Sequence, residues 1–377
     1  MTAAAPPPPP AAERHASIDV LRAIAIALMV VVHFAENLSG WHGAAGSAFA
    51  GVHRTWWLPT GFAAPMFTFL TGVSYRLWLD LQRRRGRSEM AIAKGTVRRG
   101  LFLIGLGFAF NVLIWLPEDV FNWDILTLIG CGMLALEVAR RMPDAVVLLA
   151  ATLAIAVAPA MRVVVGYTAY WAQGYFDYDF TLADVAIGWL VTGYFPIFPW
   201  LAYPLAGFAL GPRPAAGQRG SVLVGAGLVA TAALLVIAWP SLPAAVTGDA
   251  LQAWTMFPAS TAYVLGTLGG VVLALAGLHR LLDEPVPRAG AIVAWAAPLS
   301  RHSLSLYLAH HALHVWPLWA VGMATSDDPT ALWQVAMPVA WAIGLAAVFL
   351  IAAAVVCRWA DRRRVPTAEA LMRWICD

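Results

Sequence analysis

The first long apolar stretch of the chain carries ionisable side chains at helical spacing. Arg22 and His33 are eleven residues apart, which at about 100° per residue brings both to one face of a helix, roughly 16 Å apart along its axis. Asp19 lies one turn before Arg22, and Glu36 one turn after His33. These residues could also have a purely structural role, with Asp19 and Arg22 at the membrane interface and His33 in a hydrogen bond between helices. A histidine beside a carboxylate is, however, typical of a general base, and an arginine suits a phosphate, so we predict His33 as catalytic with Glu36 beside it, and Asp19 and Arg22 at an anion-binding mouth.

Two further segments contribute histidines. His53 precedes Trp56 in the segment between the first two apolar stretches. Because tryptophans gather at the membrane–water interface in any case, the residues alone leave His53 open as an interfacial anchor or a site residue. Farther along, residues 303, 307, 310, 311 and 314 follow the spacing of one helix face. This pattern predicts a polar inward face, with His310 as a contact to substrate or to a catalytic residue.

Metal binding is a second interpretation of that histidine-rich face. Histidines at positions i, i+1 and i+4 are suitable ligands, but a metal site would also use a carboxylate or a further histidine, and the neighbouring sequence supplies neither. The three cysteines, Cys131, Cys357 and Cys376, are far apart and form no CxxC motif. We therefore predict no metal site and no disulfide framework.

The elements that must position these side chains are long and apolar. The 377 residues are 60% hydrophobic and 12% charged, whereas a soluble domain carries roughly 25% charged residues. This composition excludes a water-soluble enzyme, a disordered chain and a nucleic-acid-binding module. A membrane-spanning helix needs about 20 apolar residues. Such stretches occur at 18–37, 60–80, 98–116, 123–139, 145–166, 188–210, 220–239, 257–279, 291–320 and 331–357, with a broken piece expected within 167–210.

We therefore predict an all-α integral membrane protein, a bundle of about ten transmembrane helices. Lys and Arg favour cytoplasmic loops, and with both termini cytoplasmic 22 of the 24 Lys and Arg residues fall on the inner side. The same basic clusters suit anionic lipid. We expect a disordered Pro/Ala-rich tail at 1–14, a transmembrane domain at 15–359 and a basic cytoplasmic tail at 360–377.

Four sequence blocks resemble a known family. They are SIDVLRAIAIALMVVVH at 17–33, GFAAPMFTFLTGVS at 61–74, FPIFPWLAYPLAGFALG at 195–211 and HSLSLYLAHH at 302–311. In this order they resemble the bacterial relatives of heparan-α-glucosaminide N-acetyltransferase, part of a transmembrane acyltransferase superfamily. The resemblance implies acetyl-CoA, or another acyl-CoA, as a cytoplasmic co-substrate with no bound cofactor. It also implies a sugar or glycoconjugate acceptor, with an amine or hydroxyl, on the far side.

The resemblance also places site residues. His53-Arg54-Thr55-Trp56 matches the His-x-x-Trp context of the active histidine in the lysosomal enzyme, whereas the spacing of Arg22 and His33 is similar to that of the acyltransferase-three O-acetylases. Both His33 and His53 therefore stand as catalytic candidates. The donor is expected to bind at Asp19, Arg22, Arg98 and Arg99, with its phosphates on the three arginines. The acceptor is expected near Glu36, Trp56, Asp124 and His310.

The resemblance further implies a multi-pass protein of the bacterial plasma membrane, in contact with membrane lipid and not with nucleic acid. A homodimer is left open. The alternative to an enzyme is a small-molecule transporter, which the intramembrane charges and the Pro-rich segment around Pro196, Pro199 and Pro204 permit, or a structural subunit of a membrane complex.

Overall fold

A computed structural model of the chain describes residues 15–39, 61–171, 175–211, 215–248, 253–284 and 290–377. The predicted tail at 1–14, and the site candidates His53 and Trp56, lie outside the described residues. Within the described ranges the chain forms fifteen α-helices and one isolated β-bridge, between Met256 and Ala259. The expectation of an all-α protein is confirmed for this part of the chain.

We number the helices in chain order. The first eight are α1 (Ala16–Ser39), α2 (Ala63–Arg84), α3 (Glu89–Ile114), α4 (Ile125–Ala139), α5 (Asp144–Val165), α6 (Leu182–Ile187), α7 (Ile197–Trp200) and α8 (Ala202–Leu210). The others are α9 (Ala215–Ala238), α10 (Ala244–Thr247), α11 (Thr261–Leu282), α12 (Ala291–Arg301), α13 (Ser303–Ser326), α14 (Val339–Arg363) and α15 (Ala368–Cys376).

Eight helical segments in the described residues are long and apolar enough to cross a membrane, which supports the prediction of a polytopic membrane protein. Each of the ten predicted stretches overlaps helix. The two that are not among the eight are α2, which carries Arg76 and Asp80, and α13, which carries His310, His311 and His314. Polar side chains lower the hydropathy of these two helices. Ten spans and cytoplasmic termini therefore remain predictions.

Two predicted spans are interrupted. The stretch at 188–210 is broken, as expected: a π-helical turn at Gly188–Thr192 follows α6, and the short α7 precedes α8. The stretch at 291–320 was expected to be one helix, and this is wrong. It breaks at His302 into α12 and α13, and the amides of Leu304 and Ser305 bond to the Glu369 carboxylate instead of to the preceding turn.

Helix α1 is the centre of the bundle. It packs against α2, α11, α12, α13 and α14, and more than half of its residues are buried. Its first turn is held by Asp283, whose carboxylate accepts hydrogen bonds from the Ala16 amide (2.8 Å) and the Ser17 hydroxyl (2.5 Å). His279 lies 2.7 Å from the same carboxylate. This contact fixes the end of α1 from which Asp19 and Arg22 project.

Candidate functional site

Four histidines meet between α1 and α13. His33 on α1 lies with its Nδ1 atom 2.7 Å from Nε2 of His311 and 3.2 Å from Nε2 of His310. His314, one turn farther along α13, is 2.8 Å from the side-chain nitrogen of Asn37. The side chains of His310, His311 and His314 are at most 4% exposed. The inward polar face predicted for α13 is thus confirmed, and its partner is the polar face of α1.

The hydrogen bonds of the cluster bear on where its protons lie. Nδ1 of His310 faces the carbonyl of Leu306 at 3.0 Å, so in a neutral ring this nitrogen carries the proton and Nε2 accepts. Nδ1 of His33 faces Nε2 of both His311 and His310. In the tautomer in which His33 donates from Nδ1, its Nε2 keeps the lone pair that a general base requires.

Aromatic rings and one carboxylate surround the cluster. The rings of Phe110, Trp115 and Tyr307 lie 5.1, 5.3 and 5.6 Å from His311, centroid to centroid. The Tyr307 hydroxyl donates to Asp124 at 2.9 Å. Asp124 also caps α4, accepting from the amides of Leu126 and Thr127. Asp124 thus lies at the predicted start of the fourth helix, where it links α4 to α13.

Glu36 is placed differently from the expectation. Among the described residues, the hydrogen bonds of His33 go to His310 and His311, and none joins it to Glu36. His311, which sequence reasoning did not select, takes the place beside His33. The helical spacing of residues 303 to 314 was the signal that could have identified it.

The histidine cluster also bears on metal binding. His33, His310 and His311 each present a ligand atom within 4.8 Å of the others. The neighbouring sequence supplies no further ligand, but the fold brings in His33 of α1, 277 residues away. Two nitrogens on a tetrahedral zinc, at about 2.0–2.1 Å each, lie roughly 3.3 Å apart. The 2.7 Å between His33 and His311 is a hydrogen-bond distance, so the absence of a resident metal stays our prediction.

A cavity of about 320 Å³ lies next to the cluster, toward the start of α13, between α1, α2, α3, α4, α13 and α15. Its lining is mostly apolar, with polar groups at one end from Arg22, Arg99 and Glu369. Its lining also includes Met29 and Tyr307. Met29 lies four residues before His33, about 6 Å along α1, and Tyr307 lies three residues before His310, about 4.5 Å along α13. The cavity therefore runs from the basic end of the bundle to within about one helical turn of the histidines, none of which is part of its lining.

The basic residues of this end differ in their surroundings. Arg22 donates to the hydroxyls of Ser74 on α2 (2.6 Å) and Ser300 on α12 (2.9 Å), and it is half-buried at the cavity wall. Asp19 is buried one turn before it. Arg99 lines the cavity, whereas the neighbouring Arg98 is exposed and does not. The structure thus brings Arg22 and Arg99 to one cavity.

Comparison with known proteins agrees with the sequence blocks. Residues 14–244, more than half of the chain, match the family described as heparan-alpha-glucosaminide N-acetyltransferase, catalytic. A search of curated proteins finds no match. The matched range includes α1 to α9 and the segment with His53, while α13 and its histidines lie beyond it. The chain therefore belongs to the family of the heparan-alpha-glucosaminide N-acetyltransferase catalytic domain, and this family indicates a membrane acetyltransferase.

Proposed function

We propose that the protein transfers an acetyl group, or another short acyl group, from acyl-CoA to an amine or hydroxyl of a sugar or glycoconjugate. The donor enters the cavity from the cytoplasmic side, and transfer takes place at the histidine cluster. The observation that carries this proposal is the cavity itself, which runs from Arg22 and Arg99 to residues one helical turn from His33 and His310.

The donor's charged and reactive parts fit the two regions of the cavity. Its phosphates require cations, and the Arg22 guanidinium is held at the cavity wall by hydrogen bonds to the hydroxyls of Ser74 and Ser300. Arg99 is the second cation of the lining. The pantetheine arm is narrow and mostly neutral, which suits an apolar passage. Asp19 and Arg98 remain predicted donor-binding residues from the sequence; because Arg98 lies outside the cavity lining, we expect at most a small contribution from it to donor affinity.

The chemistry requires one proton acceptor near the thioester. The acceptor's nitrogen or oxygen attacks the thioester carbonyl carbon, its proton passes to Nε2 of His33, and the carbon–sulfur bond breaks. The CoA thiolate then takes the proton from His33, so the histidine returns to its neutral form. A base of this kind contributes roughly 10²–10⁴-fold to the rate. An alternative route forms an acyl-histidine first, with ping-pong kinetics.

His53 is the second candidate for the catalytic histidine, on the family context of His53 and Trp56. The acceptor is proposed to stack on Trp56 and to contact Glu36, Asp124 or His310. In this arrangement the acceptor approaches from the outer side, which the sequence places opposite to the basic clusters. The protein is proposed to act in the bacterial plasma membrane.

The test is transfer by the purified protein in detergent. Radiolabelled acetyl-CoA is incubated with and without glucosamine, and free CoA and labelled product are measured for wild type, His33→Ala and His53→Ala. We expect one of the two variants to lose at least about 10²-fold in rate while keeping its expression and melting temperature. His42→Ala, from the same connecting segment as His53, is the matched control and should retain activity.

The outcomes separate the alternatives. Label on the protein without acceptor that disappears in one variant indicates the acyl-histidine route. Full activity of both single variants overturns the histidine mechanism. If acetyl-CoA neither turns over nor shifts the melting temperature of the wild type, the enzyme proposal fails, and accumulation of substrate in vesicles then tests the transporter alternative.

A further inference from the structure

The last helix described, α15, covers the basic end of the cavity. It packs against α3 and α13, and its Glu369 and Met372 belong to the cavity lining. A helix in this position stands where the proposed donor has to enter. What α15 touches there is therefore informative about how the cavity is used.

Glu369 occupies the start of α13. Its carboxylate accepts hydrogen bonds from the amides of Leu304 (2.8 Å) and Ser305 (3.0 Å), and from the Ser305 hydroxyl (2.7 Å). These amides are available because the helix breaks at His302, which leaves the first turn of α13 without intrahelical acceptors. Such a helix start is a good binding site for an anion, including a phosphate.

Asp377 occupies the cation of the same cavity. One nitrogen of the Arg99 guanidinium is 2.6 and 2.7 Å from the two side-chain oxygens of Asp377. The guanidinium lies over the ring of Trp78 at 4.8 Å, and its Nε is buried without a hydrogen-bond partner among the described residues. Arg99 is thus a preformed cation that still has an unused donor.

The geometry points to α15 as a self-supplied competitor of the donor: the carboxylates of Glu369 and Asp377 hold the two anion-binding groups, the α13 start and Arg99, that the phosphates of acyl-CoA would use. This inference rests on the proposed function, since it takes acyl-CoA as the ligand of the cavity. Binding of the donor then requires the two carboxylates to leave, and α15 acts as an inhibitory strap across the entrance.

The two contacts differ in how readily they release. The side chain of Asp377 is 43% exposed, and exposed ion pairs contribute little because water and salt screen them. Glu369 is only 7% exposed and makes three hydrogen bonds. We therefore expect the strap to open first at Asp377 and to remain anchored longest at Glu369.

Cys376 provides a reporter of this movement in the unmodified protein. Its side chain is 1% exposed while α15 is docked, and burial raises the pKa of the Cys376 thiol, so it should react slowly with a maleimide. Release of α15 exposes it. Cys357 on α14 is also buried but belongs to a helix that does not have to move, so it is the internal control in the same sample.

The first experiment measures maleimide labelling of Cys376 and Cys357 by mass spectrometry, with S-methyl-CoA or with S-methylpantetheine, which lacks the nucleotide phosphates. The methylated sulfur of both ligands cannot consume the maleimide. We expect S-methyl-CoA to increase the labelling rate of Cys376 several-fold, S-methylpantetheine to have little effect, and Cys357 to stay unchanged. If S-methyl-CoA slows the labelling of Cys376, α15 closes on the ligand and the inference is overturned.

The second experiment measures the dissociation constant for CoA in variants of the full chain. Asp377→Asn and Glu369→Gln remove the competing charges, and we expect CoA to bind on the order of 5-fold or more tightly, the usual lower range of such coupling. Asp361→Asn is the matched control, because Asp361 pairs with Arg301 and His302 and is not part of the cavity lining. Glu369→Gln can also weaken the start of α13, whereas Asp377→Asn leaves it intact.

The results distinguish this inference from the proposed function. Equal dissociation constants in wild type and Asp377→Asn, together with an unchanged labelling rate, overturn the strap and leave the acyltransferase proposal standing. If CoA binds to none of the proteins, both fail.

Discussion

At the level of single residues, the partners of His33 and Arg22 define the site. His33 is hydrogen-bonded by other imidazoles, and Arg22 by two hydroxyls. These contacts hold the His33 ring within the histidine cluster and the Arg22 guanidinium at the wall of the cavity.

Arg22 should contribute to donor affinity rather than to the rate of transfer. We expect Arg22→Ala to raise KM for acetyl-CoA on the order of 10- to 100-fold, the effect of losing about 1.5–3 kcal/mol of charged hydrogen bonding, with a smaller change in kcat. Arg22→Lys keeps the charge but loses the paired contact with Ser74 and Ser300. Its KM for acetyl-CoA should therefore fall between the values of wild type and Arg22→Ala. Steady-state kinetics at several acetyl-CoA concentrations measure this.

Arg98→Ala is the comparison for Arg22. Its side chain is exposed and does not line the cavity, so a KM close to wild type is expected. If KM for acetyl-CoA rises as much in Arg98→Ala as in Arg22→Ala, the nucleotide phosphates bind outside the cavity.

The histidine cluster should work without metal. We expect protein purified without a metal-affinity step to contain less than stoichiometric zinc, copper or nickel by elemental analysis, and to keep its activity after EDTA, because the short contact between His33 and His311 is a hydrogen bond. One equivalent of metal in wild type that is lost in His33→Ala and His310→Ala would contradict this prediction.

At the level of helices, two glycines allow α2 and α8 to pack closely against each other. A Cβ atom added at Gly72 would lie 1.9 Å from the backbone oxygen of Pro204, and one added at Gly207 would lie 2.0 Å from that of Phe69. Backbone atoms cannot move aside as side chains do, so each glycine is required for this contact. Helix α2 is thereby held in the position from which Ser74 reaches Arg22.

Gly72→Ala should therefore separate α2 from α8. We expect a loss of about 1–3 kcal/mol or more, as in overpacked cores, seen as a lower melting temperature and a higher KM for the donor. Gly105→Ala on α3 is the matched control, because an added Cβ there meets no atom within 4 Å, and alanine favours helix by up to about 1 kcal/mol. Equal stability of both variants would mean that the α2–α8 contact is looser than the structure shows.

The break between α12 and α13 is the second determining feature at this scale. A continuous helix would bond its amides internally, whereas the break presents those of Leu304 and Ser305 to Glu369. The break thereby creates the end of the cavity at which the Glu369 carboxylate binds. The hydropathy of 291–320 contains no sign of it, because an apolar stretch looks the same whether its helix is continuous or kinked.

At the level of the whole molecule, the direction of transfer depends on orientation. The positive-inside pattern predicts cytoplasmic termini and an outer position for the segment around Asp179. In a background without the three native cysteines, we expect Asp179→Cys to react with a membrane-impermeant maleimide on intact bacterial cells, and Arg87→Cys to react only after permeabilisation. Both side chains are exposed, so burial does not decide the result. The reverse labelling would invert the proposed direction of the reaction.

The amino-acid sequence alone predicted a helical membrane protein, the approximate positions of its long helices and the faces that carry chemistry. The predicted bounds differ from the observed ones by up to nine residues, at the start of α3. Arg22 and His33 on α1, and residues 303 to 314 on α13, could be identified in advance because hydrophobic and polar periodicity is a local property of each helix. The family blocks added the expected reaction. The broken piece expected within 167–210 was visible for the same local reason, since prolines and glycines cluster in its second half.

Which faces meet could be seen only in the folded protein. His33 is paired with His310 and His311, 277 and 278 residues away, rather than with Glu36 one turn along its own helix. The start of α13 is likewise matched with Glu369, 65 residues farther along the chain. Such pairings depend on how each helix is rotated and how closely its neighbours approach. Those quantities are set by packing between helices, and periodicity within one helix carries no information about them.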